Sequence, residues 1–194
     1  WIPGLEKNFP QCHAVPMVVV NSMDNHLENI YMVSSDEAGG IALGMRHLYQ
    51  RGCRKVALLL TSDPNNLCRE ERLEAYQRFC IKYDLPYEDA VFNFSSRDAA
   101  LENTIRQIQK IKADAVFCAT EGNMAALLFM LRKHRVKVPK NLSVIGMEDD
   151  SISRYLEPAP TTIRQNFEDI ARKSVLMLKN RIAGIPVNSN VCVP

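Results

Sequence analysis

Polar and acidic residues directly follow two of the most apolar stretches of this chain. Thr120 and Glu121 come after the run AVFCA, and the cluster Glu148, Asp149 and Asp150 comes after SVIGM. In a parallel α/β sheet the carboxyl ends of neighbouring strands meet at one edge, and ligands bind there. If both runs are strands of such a sheet, these side chains converge on one binding site.

Both groups also have a structural interpretation. Thr120 could cap the helix that follows, and Glu121 could interact with the positive end of that helix dipole. The acidic cluster could cap a short helix after Ser151, which accounts for Asp150. For Glu148 we favour ligand binding, because a carboxylate at a strand end can accept hydrogen bonds from two ligand hydroxyl groups.

The remaining chemistry-bearing residues form no catalytic or metal-binding pattern. The four histidines have neither HxH nor HExxH spacing, the serines at 34 and 35 lack a GxSxG context, and the glycines at 39, 40 and 44 lack the GxGxxG order. The six cysteines form no CxxC pair, which favours buried free thiols in a reducing cytosol. We therefore predict a cytoplasmic protein that is not an enzyme and holds no cofactor and no metal.

Length and composition indicate an ordinary globular protein. The 194 residues suffice for one large domain or two small lobes, and 46% are hydrophobic while 24% are charged. The longest apolar runs have the length of strands and are too short to cross a membrane. A net charge of +2 is too small to indicate a nucleic-acid-binding surface within this chain.

Apolar runs of strand length alternate with amphipathic stretches of helix length along the whole chain. We predict strands at 15–21, 30–33, 55–60, 90–94, 115–118, 142–146 and 161–164, and helices at 36–50, 69–83, 97–111, 123–134 and 167–182. This alternation is typical of βαβ units with right-handed crossovers. The sequence therefore predicts an α/β protein built on parallel sheets.

Several segments, in this order, resemble the effector-binding core of the lactose/galactose repressor (LacI/GalR) family. They are VPMVVVN, SSDEAGGIALGMRHLYQRGCRKVALL, ERLEAY, FCATEGNMA, VPKNLSVIGMEDD and APTTIRQ, and the match runs from about residue 15 to residue 194. The resemblance implies two flavodoxin-like lobes with parallel sheets, of the type I periplasmic-binding-protein-like kind, with the effector clamped between them.

The same resemblance implies how the chain divides between the lobes. Residues 1–33 would belong to an N-terminal lobe that is only partly present, and residues 34–161 would form a complete C-terminal lobe. Residues 162–185 would return to the N-terminal lobe and residues 186–194 to the C-terminal lobe. The chain would then be a fragment that lacks a DNA-binding headpiece.

Three effector-binding residues follow from the resemblance and from side-chain chemistry. Arg72 occupies the position of the family's cleft arginine, and its planar five-donor fork suits a sugar hydroxyl or a carboxylate. The alternative is an exposed charge on a solvated helix face. Glu148 stands where the family usually has Asp. Phe94 ends a strand where many relatives have an aromatic residue that stacks on a sugar ring, and its alternative is an ordinary core position.

Four further residues complete the predicted effector site. Thr120 and Glu121 stand where the family has Asn and Asp, and this departure changes the hydrogen-bonding groups offered to a hexose. Asn21 ends its strand facing the same cleft, and Gln165 lies on the second crossover. Both could instead bind loop backbone groups.

The resemblance implies the function and the partners. The chain would be the ligand-sensing domain of a transcriptional regulator that binds a sugar-like effector, and operator DNA would be bound by a headpiece absent from this chain. An alternative with the same two-lobed fold is a periplasmic or extracellular sugar-binding protein of a transport system. Homodimerisation would use the helix at 123–134 and the turn at 151–156. That helix is apolar nearly all round, which favours a partner over burial inside one lobe.

Overall fold

The computed structural model describes residues 15–21, 30–62, 66, 68–94, 98–120, 123–147 and 155–194. Its strands are β1 (Met17–Val20), β2 (Ile30–Ser35), β3 (Val56–Thr61), β4 (Val91–Phe94), β5 (Ala115–Ala119), β6 (Ser143–Met147), β7 (Thr161–Ile163) and β8 (Asn190–Val193). Its helices are α1 (Glu37–Gln50), α2 (Cys68–Lys82), α3 (Asp98–Lys110), α4 (Met124–Lys133) and α5 (Phe167–Ile182). The predicted α/β alternation is confirmed, and the bounds of the predicted elements differ by two residues at most.

The chain divides into two compact units. The first comprises Trp1–Asp36 and Gln165–Pro194, and the second comprises Glu37–Arg164. In the first unit, β1, β2 and β8 form a parallel sheet in the order β1-β2-β8, and α5 packs against it. Its core contains Val33, Ile170, Met177 and Val193.

The second unit is a five-stranded parallel sheet in the order β4-β3-β5-β6-β7. Successive residues of a strand point to opposite faces. Leu58 and Leu60 of β3 therefore pack with α1 and α2 on one face, whereas Ala57 and Leu59 pack with α3 and α4 on the other. Because both faces are covered, the central strands read as unbroken apolar runs.

Gly44 allows α1 to pack closely on this sheet. A Cβ at Gly44 would lie 2.6 Å from Cε1 of Phe117 and 2.8 Å from Cδ1 of Ile163. A residue with a side chain would therefore force Phe117 and Ile163 to move.

The predicted division of the chain needs a correction at its end. Residues 186–194 do not return to the second unit, because β8 pairs in parallel with β2 and the backbone N–H of Asp36 donates to the carbonyl of Val193 over 2.8 Å. Val193 is 1% exposed within the core of the first unit. The crossovers also fall about three residues later than predicted, since β2 continues to Ser35 and β7 pairs with β6.

The cysteines of the described ranges are free thiols. Cys53, Cys80 and Cys118 are buried, Cys68 is half-buried and Cys192 is exposed. The predicted burial is therefore confirmed for three of these cysteines, holds in part for Cys68 and is wrong for Cys192. Within the described ranges, no helix is long and apolar enough to cross a membrane.

Candidate functional site

The carboxyl ends of the parallel strands in the second unit meet at one edge of the sheet. At this edge, β3 ends at Thr61, β4 at Phe94, β5 at Ala119 and β6 at Met147. The first turn of α2 begins here as well, directly after β3 in the chain. Polar side chains from α1, α2, β4 and the segment after β5 line this edge.

Among the described residues of this edge, Arg72 of α2 is the most deeply buried charged group. Its side chain is 2% exposed, its Nε donates to Oε2 of Glu37 over 2.8 Å, and its Nη1 donates to the carbonyl of Ala119 over 2.9 Å. Glu37 is the first residue of α1 and is 4% exposed. Arg72 therefore connects the beginnings of two helices to the end of β5.

This arrangement decides between the two interpretations of Arg72 only in part. The interpretation of Arg72 as an exposed charge on a solvated helix face is wrong, because its guanidinium is buried. The role in effector binding stays a prediction. Burying a charge is costly unless it is paired and hydrogen-bonded, and Glu37 supplies that partner. The guanidinium is thus held in one position at the edge where ligands of parallel α/β sheets bind.

Arg69, one turn before Arg72, forms a second connection across the same edge. Its Nε donates to the carbonyl of Thr61 over 3.3 Å, and its Nη2 donates to Oδ1 of Asn93 over 3.2 Å. Its Nη1 also pairs with exposed Glu70 over 2.7 Å. Arg69 therefore joins the ends of β3 and β4 to α2.

Thr120 lies directly after β5 and is 3% exposed. Its Oγ1 accepts a hydrogen bond from Nδ2 of Asn123 over 3.0 Å and lies 3.5 Å from Sγ of Cys118. Asn123, rather than Thr120, is the N-cap residue of α4, and its side chain makes no capping hydrogen bond. The capping interpretation of Thr120 is therefore wrong.

Asn66 lies shortly before α2 at this edge, and its carbonyl accepts from the backbone N–H of Arg69 over 3.1 Å. Its Oδ1 is buried and has no hydrogen-bond partner within the part of the chain that the structure describes. Buried polar atoms are nearly always hydrogen-bonded, so such an atom calls for an explanation. An amide oxygen can accept from a ligand hydroxyl or N–H group.

The other predicted site residues have mixed outcomes. Phe94 is 4% exposed and packs in the core with Leu59 and Leu101, as its alternative interpretation had it, and its stacking role stays a prediction. Glu121 and Glu148 lie outside the described residues.

Asn21 and Gln165 belong to the first unit, and the structure brings them together. Asn21 Nδ2 donates to Oε1 of Gln165 over 3.1 Å, and Asn21 Oδ1 accepts from the backbone N–H of Ser35 over 3.0 Å. Asn21 has a φ of 50°, in the left-handed region that Asn tolerates better than most residues. It therefore binds a backbone group, as its alternative interpretation had it, and a role of either residue toward an effector stays a prediction.

A match to a known protein family identifies the family of this chain. The family described as the periplasmic binding protein-like domain matches residues 45–194. The chain belongs to this family. The relatives of this chain are LacI-family regulators. They confirm the sequence-based resemblance to the effector-binding domain of LacI/GalR regulators.

Two relatives and one solved structure illustrate the similarity. The chain is 26% identical to the HTH-type transcriptional regulator CelR of Thermobifida fusca over 81% of its own length and 47% of CelR. It is 26% identical to the HTH-type transcriptional repressor CytR of Escherichia coli K12 over 95% of its length and 53% of CytR. A transcriptional regulator CelR–cellobiose complex superimposes with a TM-score of 0.79 at 24% identity, covering 93% of this chain and 56% of that one. The chain thus spans about half the length of the curated relatives it matches.

Four polar residues of this edge were not predicted from the sequence, namely Glu37, Asn66, Asn93 and Asn123. The helical spacing of the sequence could have identified Glu37. It occupies the first position of the buried stripe of α1, whose other residues are Ile41, Gly44, Met45 and Leu48. A carboxylate at an apolar-face position indicates a buried partner. Within the described ranges, no group of three His, Cys, Asp or Glu side chains could hold a metal ion.

Proposed function

We propose that this chain is the ligand-sensing domain of a LacI-type transcriptional regulator and binds a small, polar, sugar-like effector at the carboxyl edge of the five-stranded sheet. The regulator function is supported by CelR and CytR, which match most of this chain and are both HTH-type transcriptional regulators. Operator DNA would be bound by a headpiece outside this chain. The same proposal places the protein in the cytoplasm and gives it no catalytic activity.

The effector site is carried by one observation, the fixed guanidinium of Arg72 at the edge where strands β3, β4, β5 and β6 end. Charge-assisted hydrogen bonds from such a group are stronger than neutral ones and need no reorganisation when the ligand arrives. The buried Oδ1 of Asn66 adds an acceptor at the same edge. A polyhydroxylated molecule offers both the acceptors and the donors that these two groups require.

The cellobiose in the CelR complex supports the sugar class. In our proposal Arg72 and Glu148 bind hydroxyl groups, Thr120 and Glu121 contact the ligand beside the start of α4, and Phe94 packs against one face of it. Asn21 and Gln165 belong to the same proposal as ligand-binding residues. Each of these roles rests on the family resemblance together with the chemistry of the side chain.

The homodimer remains part of the proposal. Most apolar residues of α4 are buried within their own unit, namely Met124, Leu127, Leu128, Met130 and Leu131. On the exposed side of α4 lies Phe129, which is 62% exposed. Tyr155, in the described part of the predicted turn at 151–156, is 79% exposed. Two large exposed rings support a partner surface. No observation on this chain favours the transport-protein alternative.

Calorimetry with a panel of mono- and disaccharides, including cellobiose, and of nucleobases tests the effector site. We expect saturable binding of at least one polyhydroxylated compound. Arg72→Lys keeps the charge beside Glu37 but loses the planar fork, so affinity should fall by about tenfold or more. Arg78→Lys is the matched control, because Arg78 lies on the same helix with its side chain 64% exposed. Equal affinity in Arg72→Lys, or binding of no polyhydroxylated compound, would contradict the proposal.

A further inference from the structure

A second candidate site lies in the same unit, at the opposite edge of the five-stranded sheet. A hollow of about 390 Å³ opens between the carboxyl ends of α3 and α4. It is lined by Ala113, which precedes β5, and by Leu142, which precedes β6. Because β5 and β6 run in parallel, this is the amino-terminal edge, and the length of β5 separates it from the edge that carries Thr120. Ligand pockets of proteins typically begin at about 300 Å³, so a small molecule fits.

The interior of the hollow is apolar. Ile105 and Ile108 of α3, Leu131 of α4 and Leu142 all line it, and each is at most 5% exposed. Apolar atoms at the bottom of such a hollow favour a ligand with an apolar body, because packing that body against them removes the ligand's own apolar surface from water. The site therefore selects against a small, fully hydrated ion.

The opening of the hollow is cationic and rich in hydrogen-bond donors. Exposed Lys112, Arg135, Gln109 and Asn141 line it together with half-buried His134. The two stretches that form it, 105–113 and 131–142, contain several lysines and arginines and no acidic residue. Such a surface attracts anions and raises their local concentration.

Glu102, an acidic side chain that lies beside His134 of the hollow, is already surrounded by other cations. Its Oε1 accepts from Nη2 of Arg106 over 3.1 Å and lies 3.6 Å from Nε2 of His134, and its Oε2 lies 3.9 Å from Nζ of Lys133. Within the described ranges, neither Lys112 nor Arg135 has a carboxylate within ion-pair distance. Their charges therefore remain for a ligand.

We propose that this hollow binds a small organic anion with an apolar body, such as an aromatic or branched-chain carboxylate or phosphate. The apolar part packs on Ile105, Ile108 and Leu131, and the anionic group pairs with Lys112 and Arg135. The proposal is independent of the effector site, because no residue is shared between the two edges.

Chemical-shift mapping of backbone amides tests the proposal, with phenyl phosphate as the probe. We expect saturable shifts at Gln109, Lys112, Arg135 and Asn141, which weaken in high salt because the ion pairs are exposed. Inorganic phosphate lacks the apolar body and benzyl alcohol lacks the charge, so both should bind at least about tenfold more weakly.

Three variants locate the binding. Lys112 and Arg135 have φ values of 55° and 58°, so Asn, which tolerates this region, is the suitable replacement. The double variant Lys112→Asn/Arg135→Asn should bind phenyl phosphate about tenfold or more weakly. Ala113→Leu should abolish binding by filling the hollow with every charge retained. The control Lys110→Ala/Arg132→Ala removes the same charge from exposed positions outside the hollow and should bind within about twofold of the wild type.

Several results would overturn the proposal. These are the absence of saturable shifts, shifts centred on Thr120 and Asn123 instead, equal binding of inorganic phosphate, or full binding by Ala113→Leu. An equal loss in the control variant would mean that surface charge alone attracts the probe. A loss of thermal stability in the Lys112/Arg135 variant without any loss of affinity would assign both cations to stabilising the helix ends.

Discussion

Replacing Glu37 by alanine should strongly destabilise the second unit. The substitution removes a carboxylate that pairs with the buried guanidinium of Arg72, whose side chain is 2% exposed and whose Nε lies 2.8 Å from Oε2 of Glu37. Two unit charges about 4 Å apart interact by about 4 kcal/mol at an effective dielectric constant of about 20. Breaking a buried ion pair by removing one partner costs about 3–5 kcal/mol, which agrees with that value. We therefore expect the free energy of unfolding to fall by about 3–5 kcal/mol.

Urea denaturation followed by circular dichroism measures this change, and two further variants make it specific. Glu70→Ala is the matched control, since Glu70 pairs with Arg69 over 2.7 Å but is 71% exposed, and an exposed pair contributes about 0–1 kcal/mol. The double variant Glu37→Leu/Arg72→Met removes both charges and should recover most of the loss, because apolar replacement of a buried pair is often neutral. A loss for Glu37→Ala no larger than that for Glu70→Ala, or a double variant less stable than Glu37→Ala, would show that Glu37 does not stabilise the fold by pairing with buried Arg72.

Three smaller predictions concern packing, pH and a helix cap. Gly44→Ala would bring a Cβ within 2.6 Å of the Phe117 ring and should cost about 1–3 kcal/mol in the free energy of unfolding, measured by urea denaturation; an unchanged midpoint would contradict this close packing. Burial raises the pKa of the Cys80 thiol from 9.0 to about 11. Because the thiol of the unfolded chain ionises first, the folded state should lose stability as the pH rises from about 9 to about 11. Thermal melts should show this decline, and Cys80→Ala should flatten it. Asn166→Ala removes the side chain that accepts from the backbone N–H of Asp169 over 3.1 Å at the start of α5, and it should cost about 1 kcal/mol, whereas an unchanged melting temperature would count against the cap.

The sequence predicts most of the fold because the strands of the second unit are buried on both faces. Runs such as VALLL in β3 and AVFCA in β5 are apolar throughout, and polar breaks separate them from helices with a clear apolar stripe. The strand β8 was missed because NVCV is short, follows a loop and has only Val193 buried. Its pairing with β2 is a tertiary contact that the local pattern does not encode.

The candidate site was predicted in position but not in its connections. Strand ends located Thr120, and the family resemblance located Arg72. The partners of Arg72 come from α1 and β5, which are far from α2 in the chain, so local spacing does not identify them. Arg72 and Glu37 each occupy a buried position of an otherwise apolar helical stripe. Two opposite charges at such positions in packed helices could have predicted the pair.

Chemical-shift mapping of a bound sugar on the amide and side-chain signals of the protein locates the effector site. For the polyhydroxylated compound that binds most tightly in calorimetry, we expect the largest chemical-shift changes at the Nε–H signal of Arg72 and at the amides of Asn66, Arg69, Arg72, Thr120 and Asn123. Saturable binding with no change at these residues, and with the largest changes elsewhere in the chain, would contradict an effector site at the carboxyl edge of the five-stranded sheet.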